Sequence, residues 1–252
     1  MTILEATILG IIQGFTEFLP ISSSGHLVLG QAILGIEQPG NEFEILVHLG
    51  TLASVLVIFF DDIKSLILSL ASKKTQIFII YILIGTLPAA GIGLGFKDLI
   101  DSLFENVTAV GGALIFTGVV LFGSSFANRQ DKDHSFLTCI LIGCAQAMAI
   151  IPGVSRSGMT ISAALFLGLS AKEAARFSFL LAIPAIGGAG LLTALDVSGG
   201  FQMPIPVALA GLTSSFAVGV VALKWLLGWL EQGKFHYFGI YCLVVGLITL
   251  VV

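Results

Sequence analysis

Residues 13 to 26 read QGFTEFLPISSSGH. One short stretch thus holds a Gln, a Glu, a Pro, three serines and a His. The chain around it has only 11 Lys and Arg and 15 Asp and Glu among 252 residues. Apolar residues make up 56% of the chain and charged ones 10%, where soluble domains carry about a quarter. Runs near or beyond 17 residues with almost no charge are long enough to cross about 30 Å of hydrocarbon as helices. The expected class is all-α, a polytopic integral membrane protein with one membrane domain over residues 1–252.

The net charge of −4 is spread over short loops, which implies neither a nucleic-acid surface nor an acidic tail. No basic n-region or small-residue cleavage site opens the chain, so no removable signal peptide is expected. Cys139, Cys144 and Cys242 lie in apolar segments without metal or redox spacing and read as packing residues.

Polar breaks fall near 37–43, 61–75, 96–106, 127–135, 170–173, 196–204 and 231–236. Spans are expected at about 44–60, 76–95, 107–126, 174–195, 205–230 and 237–252. Segments 3–36 and 136–169 are apolar but interrupted by Pro, Gly and Ser. Unpaired backbone cannot face lipid, so each is expected to be a re-entrant helix–turn–helix hairpin shielded by protein.

Loop charges orient the chain. Lys64, Lys73 and Lys74, then Arg129 and Lys132, then Lys234 with Lys224 nearby, mark three breaks as cytoplasmic. Lys97 is outnumbered by Asp98, Asp101 and Glu105, and 196–204 has no Lys or Arg, so these breaks are expected outside. The assignment requires 136–169 to return to its own side, and Lys172 and Arg176 agree with an inside return.

Shifting the chain by 133 residues reveals a repeat. Leu4, Gly10, Gln13, Ser22, Ser24, Gly25, Leu34 and Gly35 fall on Leu137, Gly143, Gln146, Ser155, Ser157, Gly158, Leu167 and Gly168. Two units are expected, about 1–130 and 134–252, each a hairpin followed by three spans. An odd number of spans per unit inverts the second copy, which brings the two Ser-x-Ser-Gly turns together from opposite faces.

Gly10, Gln13, Gly14 and Glu17 recur at i, i+3, i+4 and i+7 and form one stripe of a helix. The glycines suit close helix contact. A carboxylate at membrane depth costs about 2.5–3.5 kcal/mol on insertion scales, so Glu17 is expected to face a cavity and act there. Pro20 ends the helix, and Ser23 or Ser24 is expected to cap the next. Serine hydroxyls beside free helix-start amides bind anions. The second turn, IIPGVSRSGMT (150–160), has Ile150 for Glu17, Arg156 for Ser23 and Met159 for His26. Arg156 between two serines reads as an anion fork. Together these groups point to phosphate-ester or anhydride chemistry.

QGFTEFLPISSSGH resembles the [Glu/Gln]-x-x-x-Glu plus Pro-x-Ser-Ser-x-Gly-His signature of the undecaprenyl-diphosphate phosphatase family. PGVSRSG (152–158) is similar to that family's Pro-Gly-x-Ser-Arg-Ser-Gly, and FSFLLAIPA (177–185) to the segment that follows. The resemblance covers nearly the whole chain. It implies hydrolysis of a polyprenyl diphosphate to its monophosphate, recycling the lipid carrier of cell-wall synthesis, with bacitracin resistance as a consequence. It also implies a divalent cation (Mg²⁺ or Ca²⁺), a plasma-membrane site facing the outer side, and homodimers.

Residue by residue, the resemblance makes Glu17 the essential carboxylate, a metal ligand or acid–base residue, and Ser23 the favoured nucleophile, with direct attack by water as the alternative. His26 becomes a proton relay or alternative nucleophile, and Arg156 the grip on the diphosphate. Gln13, Ser22, Ser24, Ser155 and Ser157 are further substrate-binding groups. Gln13 fills the first acidic position as a neutral amide, which leaves the motif one carboxylate and speaks against a two-carboxylate metal clamp. The family's Tyr-Arg near the C-terminus is Tyr241-Cys242 here, and His48 and Glu44 sit where a span begins, with their role undecided. A flippase for the monophosphate lipid is the main competing reading, because inverted repeats with broken helices also build transporters. An intramembrane serine protease is the third, and it leaves Arg156 idle.

Overall fold

The computed structural model describes residues 1–36, 41–96, 100, 103, 106–127, 131–196 and 203–251. All regular elements among them are helices. The first half contains α1 (Ile3–Phe18), α2 (Ser23–Leu34), α3 (Asn41–Ile58), α4 (Phe60–Leu68), α5 (Lys73–Gly95) and α6 (Val107–Gly123). The second contains α7 (Phe136–Met148), α8 (Arg156–Phe166), α9 (Ala171–Asp196), α10 (Ile205–Glu231) and α11 (Tyr237–Val251).

Four helical stretches, Lys73–Gly95, Val107–Phe126, Ala171–Leu192 and Ile205–Glu231, are long and apolar enough to cross a membrane. The most apolar window of α5 is only 6% buried by protein, so its hydrophobic surface needs lipid rather than a core. A fifth candidate, α3 with α4, is bent. α3 turns by 68° into α4, so residues 61–68 of the expected 61–75 loop are helical. Phe60, Ile67 and Leu68 on α4 are exposed, and Asp61, Asp62 and Lys64 share the same helix, as in an interfacial segment. The expected span at 237–252 is a helix of 15 residues, about 22 Å long.

Both interrupted segments are hairpins. A capping box between Thr2 and Glu5 starts α1, and Pro20 stops it just past the Leu19 cap. α2 then folds back, with Gly30 against Leu9 and Ile12 of α1. It ends at Gly35, whose φ of +64° is the left-handed cap that glycine adopts without strain. α7 and α8 are joined through Pro152 and Gly153 (φ +91°) and pack on each other in the same way. At 16 and 13 residues, α1 and α7 are about 24 and 20 Å long, short of a full crossing.

The breaks group by end. Arg176 bonds Asp62 (2.6 Å) and Glu173, which also meets His134 (3.2 Å), so three breaks expected inside share one end. At the other end the Met203 amide donates to Glu42 (3.2 Å), joining the 196–204 break expected outside to the 37–43 break. Lys97, Asp98, Asp101, Glu105 and Arg129 lie outside the described residues. α1 starts in the cluster of Ala6, Leu9, Phe43, Val47 and Val207, at the Glu42–Met203 end. α7 starts beside His134, at the Arg176 end.

Helix contacts recur in pairs. α1 packs along α10 and α7 along α5; α10 packs on α3 and α5 on α9; α6 packs on α11. Small residues permit these approaches, since lipid tails give helices no hydrophobic reason to associate. A methyl group on Gly10 would lie 2.7 Å from the Gly211 carbonyl, and one on Gly143 2.5 Å from the Gly85 carbonyl. On α6 and α11, Gly118 faces Gly239 and Gly111 faces Gly246, both pairs too close for a Cβ without displacement. The central apolar cluster includes Phe18, Phe59, Phe177 and Phe179.

Candidate active site

The two hairpin turns touch. A Cβ on Gly25 would lie 3.3 Å from Gly153 Cα, and one on Gly158 would lie 3.3 Å from Pro20 Cβ. Gly25 corresponds to Gly158 and Pro20 to Gly153 in the 133-residue shift, so the contact is reciprocal.

Each turn caps its own returning helix. Ser22 Oγ accepts from the Gly25 amide (3.4 Å), and Ser155 Oγ from the Gly158 amide (3.1 Å). The cap of α2 is therefore Ser22, one residue before the expected Ser23 or Ser24. Its φ of +70° closes the turn between Pro20 and the helix. The Ser22 and Ser24 hydroxyls lie 3.3 Å apart, as do those of Ser155 and Ser157. Neighbouring helices hold both turns. Thr117 Oγ1 on α6 donates to the Gly153 carbonyl (3.1 Å) and accepts from the Ser155 amide (3.2 Å). Cys242 Sγ on α11 donates to the Pro20 carbonyl (3.5 Å).

Glu17 is the centre of the site. It is 7% exposed and collects donors from both halves. Its Oε2 accepts from Ser23 Oγ (2.7 Å) and from Gln13 Nε2 (3.1 Å). Its Oε1 accepts from Arg156 Nη2 (2.5 Å). His48 of α3 brings Nε2 to 3.8 Å from Oε2, and its Nδ1 bonds the Glu44 carbonyl (2.7 Å). The unpaired cost of a carboxylate at this depth is offset by a cation and two neutral donors. Arg156 Nη1 and Gln13 Oε1 are buried and have no partner among the described residues. A guanidinium with one nitrogen committed and another free is ready to take an anion's oxygen.

Of the groups expected to meet, Gln13, Glu17, Ser23 and Arg156 do. His26 is held elsewhere: Nδ1 bonds the Ser22 carbonyl (2.8 Å) and Nε2 bonds Tyr241 Oη (2.8 Å), with the rings stacked at 5.6 Å. Its counterpart Met159 is buried in an apolar cluster with Ala145 and Val154. His48 joins the site through its side chain, whereas Glu44 contributes its carbonyl. A His inside an apolar span is the signal that marks such a residue. Tyr241 carries no comparable signal, because an interfacial Tyr is common in any membrane protein.

No three His, Cys, Asp or Glu side chains among the described residues cluster as metal ligands. The donor set at Glu17 is one carboxylate, the unpartnered Gln13 oxygen and the Ser23 hydroxyl. Those residues fit a hard dication that takes its remaining ligands from phosphate oxygens and water.

The family model described as bacitracin resistance protein BacA matches residues 6–248. The chain belongs to the BacA family. Its relatives include an undecaprenyl-diphosphatase of Korarchaeum cryptofilum (strain OPF8), 42% identical with 99% of each chain covered. One of Halothermothrix orenii is 42% identical over 100% of this chain and 98% of its own. The undecaprenyl-diphosphatase 3 of Bacillus anthracis is 41% identical, over 99% and 97%. Membership of the BacA family accounts for both signature turns at once, since the match runs through α1, α2, α7 and α8.

Proposed function

We propose that this membrane protein hydrolyses undecaprenyl diphosphate to the monophosphate and inorganic phosphate, recycling the lipid carrier of cell-wall synthesis. The observation that carries the reading is the meeting of Ser23 and Arg156, one from each turn, on the two oxygens of Glu17. The relatives are named for this hydrolysis, which favours it over the flippase reading.

Ser23 Oγ is the nucleophile and Glu17 Oε2 the acceptor of its proton. Attack on the terminal phosphorus forms an Oγ–P bond and breaks the bridging P–O bond, releasing the lipid monophosphate. Water then cleaves the phosphoserine, returning the proton to Ser23 and releasing phosphate. Arg156 Nη1 meets a phosphoryl oxygen whose charge grows as the bridge breaks. The first-turn amides of α2 and α8 add two helix N-termini to the same anion site. Ser22, Ser24, Ser155 and Ser157 shape that site; Ser22 and Ser155 also hold its backbone. A divalent cation, Mg²⁺ or Ca²⁺, would be held by Glu17 and Gln13 and would neutralise diphosphate charge. His26, tied to Tyr241 and to the Ser22 carbonyl, steadies the nucleophile's turn.

We also infer that the halves are inverted copies. The support is the exchange of helix pairs between halves, the reciprocal turn contacts, and hairpins that start at opposite ends. A plasma-membrane site open to the outer side is what the family resemblance implies, and the positive charge of the 61–75 and 170–176 segments supports a cytoplasmic Arg176 end.

The test is phosphate release from undecaprenyl or farnesyl diphosphate in detergent, with and without chelator. Release should stop with chelator and in Glu17→Ala and Arg156→Ala. Activity untouched by either substitution would remove this site from the reaction.

A further inference from the structure

The cation reading at Glu17 leaves one neighbouring group unexplained. His48 stands on α3, one helix away from the two signature turns. Its Nδ1 lies 2.7 Å from the Glu44 carbonyl, four residues back on the same helix. A carbonyl accepts only, so Nδ1 carries the hydrogen, and in the neutral tautomer Nε2 then presents a lone pair. That lone pair points to Glu17 Oε2 across 3.8 Å, beyond hydrogen-bond reach. Two electron-rich atoms then face each other, and Gln13, whose Nε2 donates to the same Oε2, leaves its Oε1 without a partner.

Rotation of the Gln13 amide by about 180° exchanges its nitrogen and oxygen, so it can also turn an oxygen beside Glu17 Oε2. A carboxylate oxygen, an amide oxygen and an imidazole nitrogen from two helices then converge. His48 also has the backing expected of a metal-bound His, whose other ring nitrogen donates to a backbone carbonyl. Its side chain is 31% exposed against 6% for Glu17, so it sits on the open edge of the site.

We propose that His48 Nε2 is a protein ligand of the divalent cation at Glu17, making this a mixed nitrogen–oxygen site. The inference rests on the reading above that a dication binds there. Imidazole suits Zn²⁺ and other later first-row ions, whereas carboxylate, carbonyl and water suit Mg²⁺, Ca²⁺ and Mn²⁺, so a mixed set widens the range of dications the site takes. The neutral Gln13, standing where a second carboxylate would add charge, lowers the attraction for hard cations, and His48 compensates through a softer bond.

The probe is Mn²⁺ bound to the purified full chain in detergent, read by pulsed electron paramagnetic resonance. Modulation from one directly coordinated imidazole ¹⁴N is expected in the wild type and in His26→Gln. It should vanish in His48→Gln, whose Mn²⁺ affinity should fall at least about tenfold. Bound Mn²⁺ without imidazole modulation, or modulation that survives in His48→Gln, would overturn the proposal. So would failure of the wild type to bind Mn²⁺. The wild-type spectrum decides even if His48→Gln misfolds. Phosphate release from undecaprenyl diphosphate by the same sample tests the phosphatase reading separately. An imidazole-coordinated Mn²⁺ without hydrolysis would defeat that reading and leave His48 as a ligand.

Discussion

Glu17 and Arg156 are 139 positions apart in the chain, and their side chains form a hydrogen-bonded ion pair of 2.5 Å. Neither could sit alone at this depth without a large desolvation cost. The pair has no equivalent in the other half-site, where the matching positions are Ile150 and Ser23. The 133-residue register therefore does not carry the charges from one turn to the other.

Replacing Arg156 should reveal what the guanidinium does beyond neutralising Glu17. Arg156→Lys keeps the charge but loses the fork that serves Glu17 and an anion together. Phosphate release should fall about 10²-fold or more in both Arg156→Lys and Arg156→Ala, the scale of losing one donor to developing charge. Steady-state kinetics on farnesyl diphosphate measure it; near-normal turnover in Arg156→Lys would contradict the fork.

Ser22 and Ser23 should separate cleanly. Ser23→Ala removes the nucleophile and should abolish turnover while leaving the fold intact. Ser22→Ala should instead lower stability by about 1 kcal/mol, through the lost cap. Ser22→Gly should cost less, because glycine accepts the positive φ at this turn. Thermal unfolding of the three variants in one detergent tests the order.

Glycine contacts make a second stability series. Gly143→Ala places a methyl 2.5 Å from the Gly85 carbonyl and should destabilise by about 1–3 kcal/mol. Gly112→Ala, on α6 with no atom within 4 Å of the added methyl, should be neutral or slightly stabilising. Equal melting temperatures for the two would refute close packing at Gly143.

Tyr241→Phe deletes the hydroxyl bonded to His26 while keeping the stacked ring. The loss of one such bond is worth about 1 kcal/mol, which predicts roughly fivefold lower turnover if His26 steadies the nucleophile's turn. His26→Gln should then make Tyr241→Phe silent. Additive losses in the double variant would show that the two residues act separately.

Much of this arrangement is legible in the chain itself. Composition and run length specify a helical membrane protein, because lipid tolerates few other ways to pair backbone groups. Pro20 and Pro152 locate the two breaks, and the 133-residue register pairs their serines. Glu17 and Arg156 stand out as charges in apolar surroundings.

Other features needed the third dimension. The α4 helix was hidden because its charges read as a loop, while Ile63 and Leu66 pack on the core and Phe60, Ile67 and Leu68 are exposed. The Ser22 cap depends on a backbone angle that three consecutive serines do not reveal. His26 and His48 look alike as isolated imidazoles in apolar sequence. Only packing decides that α11 brings Tyr241 to the first and that α3 aims the second at Glu17, because those contacts join residues whose separation local periodicity does not encode.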